Sequence, residues 1–517
     1  MHIRDRYAPS PTGLQHIGGV RTALFNYLFA HSKEARGPEK SAFILRLEDT
    51  DRARSDQGFV QNLYDTFAWL GIRWDEGPDV GGTCAPYIQS ERFELYKRYA
   101  LELIAADKAY YCFCPLERLE KIRREREEAH SGETGYDRHC RSIPKDEAAA
   151  RVADGEPFVI RLKIPLDTTT VFHDRLLGAI EWKNVDVNPD PVLLKSDGFP
   201  TYHLANVTDD RLMGITHVLR AQEWLPSTPI HIILYDGLGW TPPEFCHLPM
   251  VMGQDGKKLS KRHGATSIDE FRRQGYLGEA LVNYVALLGA SYKEGKDIYT
   301  LEELAEHFSL DKLNKAPAVF DYKKLAWYNA SHIRVKTSEE LAERALPFAV
   351  EAGVFGKAGA EPDAEQKRVF VEAMPLVKER VNFLTEIPAK TAYLFSDPAP
   401  PDASEFFPKK ADIQQTIALL TLGKGLVAPM AAMTDNDAEA FVKAEAEKAG
   451  VKLGDLLMPL RVAVTGARVS PPLFGSLRLL GAETSVLRVE KALAKLRGYA
   501  GLTDEDEVHR AQYKSGY

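Results

Sequence analysis

The sequence is short of cysteine, with five in 517 residues, three of them between Cys112 and Cys140. That excludes a disulfide framework and points to a reducing compartment, the cytoplasm. No apolar run approaches the ~20 residues that span a bilayer. Nor is there a secretory pattern at the start, since Arg4, Asp5 and Arg6 lead into turn-rich sequence, not an uninterrupted apolar segment. A chain without membrane partners is expected. A basic excess is missing as well. Net charge is −8, so any nucleic acid must be met by local patches. Internal repeats and low-complexity tracts are absent, and strand periodicity fades beyond about residue 330.

What is present is strand–helix alternation. Residues 2–8 read as a short strand, followed by a Pro/Gly loop and a helix from about Gly18. Val20, Ala23, Leu24, Tyr27, Leu28 and His31 fall on one face of that helix. "SAFILRLEDTD" suits a buried parallel strand ending in acids, and a helix carrying Phe59, Val60, Leu63, Phe67 and Leu70 follows, with Gly71 as its stop. This is the opening of a doubly wound, Rossmann-type α/β sheet, where ligands sit beyond the carboxyl ends of the strands. The pattern breaks after "WDEGPDVGG" and returns near "YHLANV", "THVLRAQEW" and "IHIILYDGLGW". The predicted architecture is a catalytic domain in two halves, residues 1–85 and 195–252, split by an insertion over 86–194. Residues 253–332 form a connecting region, 333–500 an all-helical half and 501–517 a polar tail.

Two segments carry candidate chemistry. In "APSPTGLQHIGG", a glycine pair opens a helix whose N-terminus favours an anion, and His16, Ser10 and Thr12 add donors. A rigid strand-to-helix turn with an exposed histidine is the competing reading. In "GQDGKKLSKRHG", Lys257, Lys258, Lys261 and Arg262 sit in a glycine-flanked loop able to close on a triphosphate; a solvated charge run competes.

Together these segments resemble the HIGH and KMSKS signatures of class I aminoacyl-tRNA synthetases. With "RLEDTD", "YHLANV" and "LRAQEW" in order, nearly the whole chain resembles bacterial-type glutamyl-tRNA synthetases. Gly19 stands where the signature name has a second histidine, which places more of the work on His16 and backbone amides. The resemblance implies ATP-dependent ligation of L-glutamate to tRNA(Glu) through a glutamyl-adenylate, with ATP and Mg2+, by a monomer. It implies His16 and Lys261 as catalytic groups, and Gly18, Gly19, Glu223, Trp224, Lys258 and Arg262 near ATP. For glutamate it implies Arg6, Ala8, Ser10, Glu48, Tyr202, Asn206 and Arg220. Arg6 and Arg220 are the cations for the side-chain carboxylate, and Glu48 is the ammonium partner. A salt bridge between adjacent strands remains open for Arg6 and Glu48, and a core position for Trp224.

The resemblance also implies acceptor-stem binding by 86–194, stem contact by 253–332 with its KMSKS-like loop, and anticodon reading by the helical half, with Arg380 and Arg461 as basic candidates. Cys112, Cys114 and Cys140 match a Zn2+ module of some relatives. Where others carry histidine this chain has Ser142, leaving Tyr136 and His139 as the fourth-ligand candidates; Tyr136 fits the Y-x-x-x-C spacing of zinc-bearing relatives. A reduced, metal-free module is the alternative. A non-catalytic tRNA-binding paralogue, a small-molecule nucleotidylyltransferase, and a ligase that also charges tRNA(Gln) are the rival functions.

Overall fold

The computed structural model describes residues 2–37, 41–50, 56–128, 135–292 and 296–501, so the expected polar tail from 502 onward lies outside them. The chain divides into two compact units, Met1–Arg273 with Gly278–Leu325, and Gln274–Leu277 with Ala326–Tyr517.

In the first unit, strand Arg4–Tyr7 pairs in parallel with Ala42–Leu45, Arg4 opposite Ala42 and Tyr7 opposite Leu45. Helix Ile17–Ala30 makes the crossover. A second parallel pair, His217–Ala221 with Glu244–Leu248, is joined through helix Thr228–Gly237. The two pairs meet where the Thr216 amide donates to the Arg4 carbonyl at 2.9 Å. The first helix is buried around more of its circumference than one face, with Arg21, Phe25, Asn26 and Phe29 inside as well. It packs against the sheet and also against helices Gly278–Ala286 and Leu301–His307, and Phe25 lies 5.4 Å from Phe308. A helix covered on two sides carries no single apolar stripe. Helix Gln57–Leu70 starts at Asp56, whose carboxylate accepts from the Gly58 amide. It stops at Gly71, which takes the left-handed φ of 74° that glycine tolerates.

The region between the two parallel pairs contributes two sheets. Strands Ala109–Cys112, Val159–Leu162 and Val192–Leu194 form a small antiparallel sheet. The hairpin Thr169–Asp174 with Gly178–Lys183 instead extends the second parallel pair, because Asp174 lies beside Phe245. A stretch read as insertion thus supplies a strand edge to the catalytic sheet.

The second unit is helical, with no strand among its described residues. Capping boxes at Thr337/Glu340, Asp363/Gln366 and Asp412/Gln415 satisfy the first-turn amides of three helices. Leu420, Val427, Leu456, Leu460, Leu477, Val489 and Leu496 form a core beneath helices Ile413–Ala431, Leu453–Thr465 and Ala482–Ala500.

Candidate active site

His16 is the N-cap of the first helix. Its backbone is extended, and Nδ1 accepts from the Gly19 amide at 3.2 Å, which fixes the ring over the helix start. A Cβ on Gly19 would stand 2.8 Å from the Tyr7 hydroxyl, itself 3.0 Å from Gln15 Oε1. Glycine there lets the helix start close against Tyr7.

The lysine-bearing loop reaches the same place. His16 bridges to Ser267, the Ile17 amide donates to the Thr266 carbonyl at 3.0 Å, and the Ile268 amide donates to the Gln15 carbonyl at 3.1 Å. Lys258 forms an ion pair with Glu223. Part of His16 is open to solvent. Packing of its ring and the Lys258 ammonium hold the imidazole below its ordinary value, while Glu223 pulls the other way. Two segments more than 200 residues apart therefore share one electrostatic site. Arg262 is exposed and rests 3.3 Å from Asp255; His263 closes the loop through Asp255 at 2.9 Å and by accepting the Ser260 amide at 3.0 Å. The Lys261 backbone starts the short turn Lys261–His263, but its side chain lies outside the described residues.

Beyond the strand ends lies a buried charge network. Arg6 grips Asp210 through two contacts, 3.0 and 3.2 Å, and Arg46 donates to Asp210 at 2.7 Å and to Glu48 at 2.9 Å. Arg6 and Glu48 are thus not paired with each other; Asp210 and Arg46 stand between them. Burial pushes the Glu48 carboxyl up more than Arg46 pulls it down. For Asp210 burial pushes up too, but Arg6 and Arg46 together hold it below the usual carboxylate range. Asn206 Nδ2 is 3.4 Å from Glu48 Oε1, and the Ser10 hydroxyl donates to the Glu48 carbonyl at 2.7 Å. Ala8 is half-buried on the same loop. Arg92, at 2.7 Å, ties Asp209 into the network.

Arg220 differs from these. It is buried, and its donors go to neutral groups: Tyr202 Oη at 3.0 Å, Thr228 Oγ1 at 2.8 Å and His247 Nε2 at 3.0 Å. Among the described residues no carboxylate lies within ion-pair distance of it. Burial lowers its affinity for its proton, and Arg6 adds to that repulsion. In direct contact the cluster holds Arg6, Arg46 and Arg92 against Glu48, Asp209 and Asp210, while Arg220 meets a carboxylate, Asp174, only through the His247 ring. Burial raises the Asp5 carboxyl well above its usual range, with Arg6 pulling it the other way. A buried cation without a counter-ion is costly unless an anionic ligand completes it.

Trp224 joins the two halves. It is 42% exposed, so it is no core residue, and its ring lies 4.8 Å from that of Tyr202. Glu223, its neighbour, holds Lys258. A cavity of about 930 Å³ adjoins Tyr202 and His203 and runs to Arg123, Arg126, Tyr136 and Arg161.

That cavity is bordered by Tyr136, which packs against the thiol cluster. Cys112, Cys114 and Cys140 bring their sulfurs within 4.8 Å of one another. Tyr136 Oη lies 3.4 Å from Cys112 Sγ and 3.5 Å from Cys114 Sγ, while His139 is exposed and not part of the cluster. Tetrahedral Zn2+ with ~2.3 Å Zn–S bonds separates sulfurs by about 3.8 Å, and Cys114 and Cys140 stand 3.5 Å apart. Cys140 and then Tyr136 hold the Cys112 thiol below its usual value against the effect of burial. Three sulfurs and one phenol fit a four-coordinate metal.

In the helical unit Arg461 donates to Ser470 Oγ at 3.0 Å and to the Pro471 carbonyl at 2.9 Å. Burial lowers its proton affinity, and so does exposed Arg380, which places the two arginines in one field.

The sequence reading missed Arg46, Asp209, Asp210, Asp174, Thr228 and His247. Asp210 had a signal. It follows Tyr202 and Asn206 at four-residue steps on helix Tyr202–Leu212, so all three share a face. Asp174 and His247 had none, since nothing in a short strand says which remote side chain its polar residues will meet.

A parallel sheet whose first crossover helix offers its N-terminus to a lysine-bearing loop is the catalytic architecture of class I tRNA synthetases. Comparison with known proteins agrees: the family "tRNA synthetases class I (E and Q), catalytic domain" matches residues 2–327, and "Anticodon binding domain" matches 340–493. A glutamate–tRNA ligase of Treponema denticola is 54% identical over 96% of this chain and 100% of its own length. One from Borrelia duttonii is 48% identical over 96% of this chain and 97% of its own. The crystal structure of a glutamate tRNA ligase from Elizabethkingia meningosepticum, in complex with its amino acid, superposes with a TM-score of 0.83. It is 33% identical and covers 96% of this chain and 100% of that one. The chain belongs to the glutamate–tRNA ligase family.

Proposed function

We infer that the protein joins L-glutamate to the 3′ end of tRNA(Glu) at the expense of ATP. The glutamate α-carboxylate attacks the α-phosphorus of ATP and pyrophosphate leaves; the terminal ribose 2′-hydroxyl then takes the acyl group of the adenylate, and AMP leaves. The observation that carries the reading is Arg220, a buried cation facing Tyr202 with no carboxylate partner. A substrate with a side-chain carboxylate completes that charge; an amide does not. Arg6 lies beside it, and Glu48, Asn206, Ser10 and Ala8 line the ammonium side.

No step requires a protein nucleophile, so catalysis consists of positioning and charge stabilisation. His16 and the amides of Gly18 and Gly19 receive the phosphate chain at the helix N-terminus. Lys258, released from Glu223, moves with Lys261 and Arg262 onto the departing pyrophosphate, and Trp224 flanks the nucleotide. Mg2+ accompanying ATP neutralises the phosphates. The 3′ end of the tRNA enters by the cavity along Arg123, Arg126 and Arg161, and Arg380 with Arg461 meets the anticodon. Cys112, Cys114, Cys140 and Tyr136 would hold a structural Zn2+, which would stiffen the acceptor-binding module. Five free thiols suit work in the cytoplasm.

The test is glutamate-dependent pyrophosphate exchange and aminoacylation with tRNA(Glu) and tRNA(Gln) side by side. Exchange that needs tRNA, and charging of tRNA(Glu), is the expected result. Exchange with another amino acid in the absence of tRNA would overturn the reading.

A further inference from the structure

The proposed carboxylate cation is held from behind by a chain of groups that begins in a different sheet edge. Asp174 ends strand Thr169–Asp174, where it lies beside Phe245. Its Oδ1 accepts from the amides of Leu176 and Leu177, both at 2.9 Å. Its Oδ2 accepts from the His247 amide at 3.0 Å and lies 2.7 Å from His247 Nδ1. His247 is fully buried, and its Nε2 lies 3.0 Å from Arg220 Nε.

Hydrogen bonding fixes the imidazole proton in this chain, and the Thr228 hydroxyl, 3.2 Å from His247 Nε2, can donate to that nitrogen as well. The guanidinium always donates, so His247 Nε2 must accept from it. The imidazole proton then sits on Nδ1 and is donated to Asp174. Burial and the Arg220 charge keep the ring neutral, with Asp174 pulling the other way. Arg220 Nη2 is held by Thr228 Oγ1 at 2.8 Å; Nη1 reaches Tyr202 Oη at 3.0 Å and His231 Nδ1 at 3.4 Å. Those three contacts use three of the four terminal N–H bonds, which leaves one for a ligand.

We propose that Asp174 and His247 are positioning residues for substrate recognition: by fixing one imidazole tautomer they aim the Arg220 guanidinium at the glutamate side-chain carboxylate. The inference rests on the assignment of Arg220 to the glutamate pocket. It explains why a strand from the region between the two sheet halves is hydrogen-bonded into the catalytic sheet at Asp174. A carboxylate accepts from all four of its donors, whereas an amide at that position turns one donor against another. In Asp174→Asn the new NH2 group would face either the Leu176 and Leu177 amides or His247, and in the second case the imidazole proton would move to Nε2 and confront Arg220 Nε.

The experiment measures KM for glutamate and for ATP in tRNA charging, with thermal melting as a check of folding. Asp174→Asn and His247→Leu are expected to raise KM for glutamate about tenfold or more while KM for ATP stays within about twofold. His247→Gln, whose amide oxygen can stand in for Nε2, is expected to recover most of the loss. If Arg220→Ala raises the glutamate KM but the Asp174 and His247 variants do not, the positioning chain is overturned and the pocket stands. If those variants raise both KM values together with a lowered melting temperature, their role is structural and the proposal fails. If Arg220→Ala itself leaves the glutamate KM unchanged, the pocket assignment falls, whatever the other variants do.

Discussion

Arg6 and Asp210, 204 positions apart, meet in a buried two-contact ion pair, with Nε on Oδ1 at 3.0 Å and Nη2 on Oδ2 at 3.2 Å. Arg46 completes a carboxylate held between two guanidiniums. Removing one member of such a set strands the others in a dry interior, which costs about 3–5 kcal/mol. Asp210→Asn is therefore expected to lose about that much stability in chemical denaturation. A loss below about 1 kcal/mol would show the network to be dispensable.

The histidines behind the pocket predict an acid limit. Burial first, then Arg220, brings His203 down to about 4, and His231 lies well below its ordinary value for the same reasons. A base whose folded value is depressed contributes stability above its unfolded value of ~6.5 and loses it as pH falls. Unfolding free energy should decline from about pH 6.5 towards pH 4, and His231→Gln should flatten that slope. An equal slope in the variant would assign the acid sensitivity elsewhere.

The start of the first helix predicts a steric effect with a built-in rescue. Gly19→Ala places a methyl 2.8 Å from the Tyr7 hydroxyl. Stability is expected to drop by about 1–3 kcal/mol, with a higher KM for ATP. Tyr7→Phe in the same chain removes the clashing oxygen and should restore much of both. If the double variant is no better than the single one, crowding is not the cause.

His16 reports the charge of the lysine loop. Lys258→Met should move its titration upward, because a neighbouring cation is gone, and Glu223→Gln should move it downward. NMR titration of labelled histidine, assigned with His16→Asn, measures both. Unmoved resonances would mean that the loop and the helix start do not share a field in solution.

The sulfur cluster predicts about one Zn2+ per chain by elemental analysis, lost in Cys114→Ser. Tyr136→Phe should keep the three sulfurs yet weaken retention against a chelator. Metal-free protein with full charging activity would remove the site from the mechanism.

Much of this site could be read before any coordinates existed. His16, Gly19, Lys258, Glu223, Tyr202 and Arg220 all sit in short motifs whose local chemistry announces itself. Trp224 could be read either way from the sequence, and its exposure removes the core reading. The Arg6–Glu48 relationship could not be settled, because strand adjacency allows a direct pair. In the structure Asp210, from a helix more than 150 residues later, takes Arg6, and Arg46 takes Glu48. Asp174 and His247 were invisible, since strand alternation shows that a side chain points inward but not which remote group it meets.

The sequence by itself determined the elements, the helical C-terminal half and the chemical type of each binding group, because periodicity and side-chain identity are local properties. Only the tertiary structure decided which charges neutralise one another and which guanidinium is left without a carboxylate. That balance depends on distance and burial, and both arise only when remote segments share one dry interior.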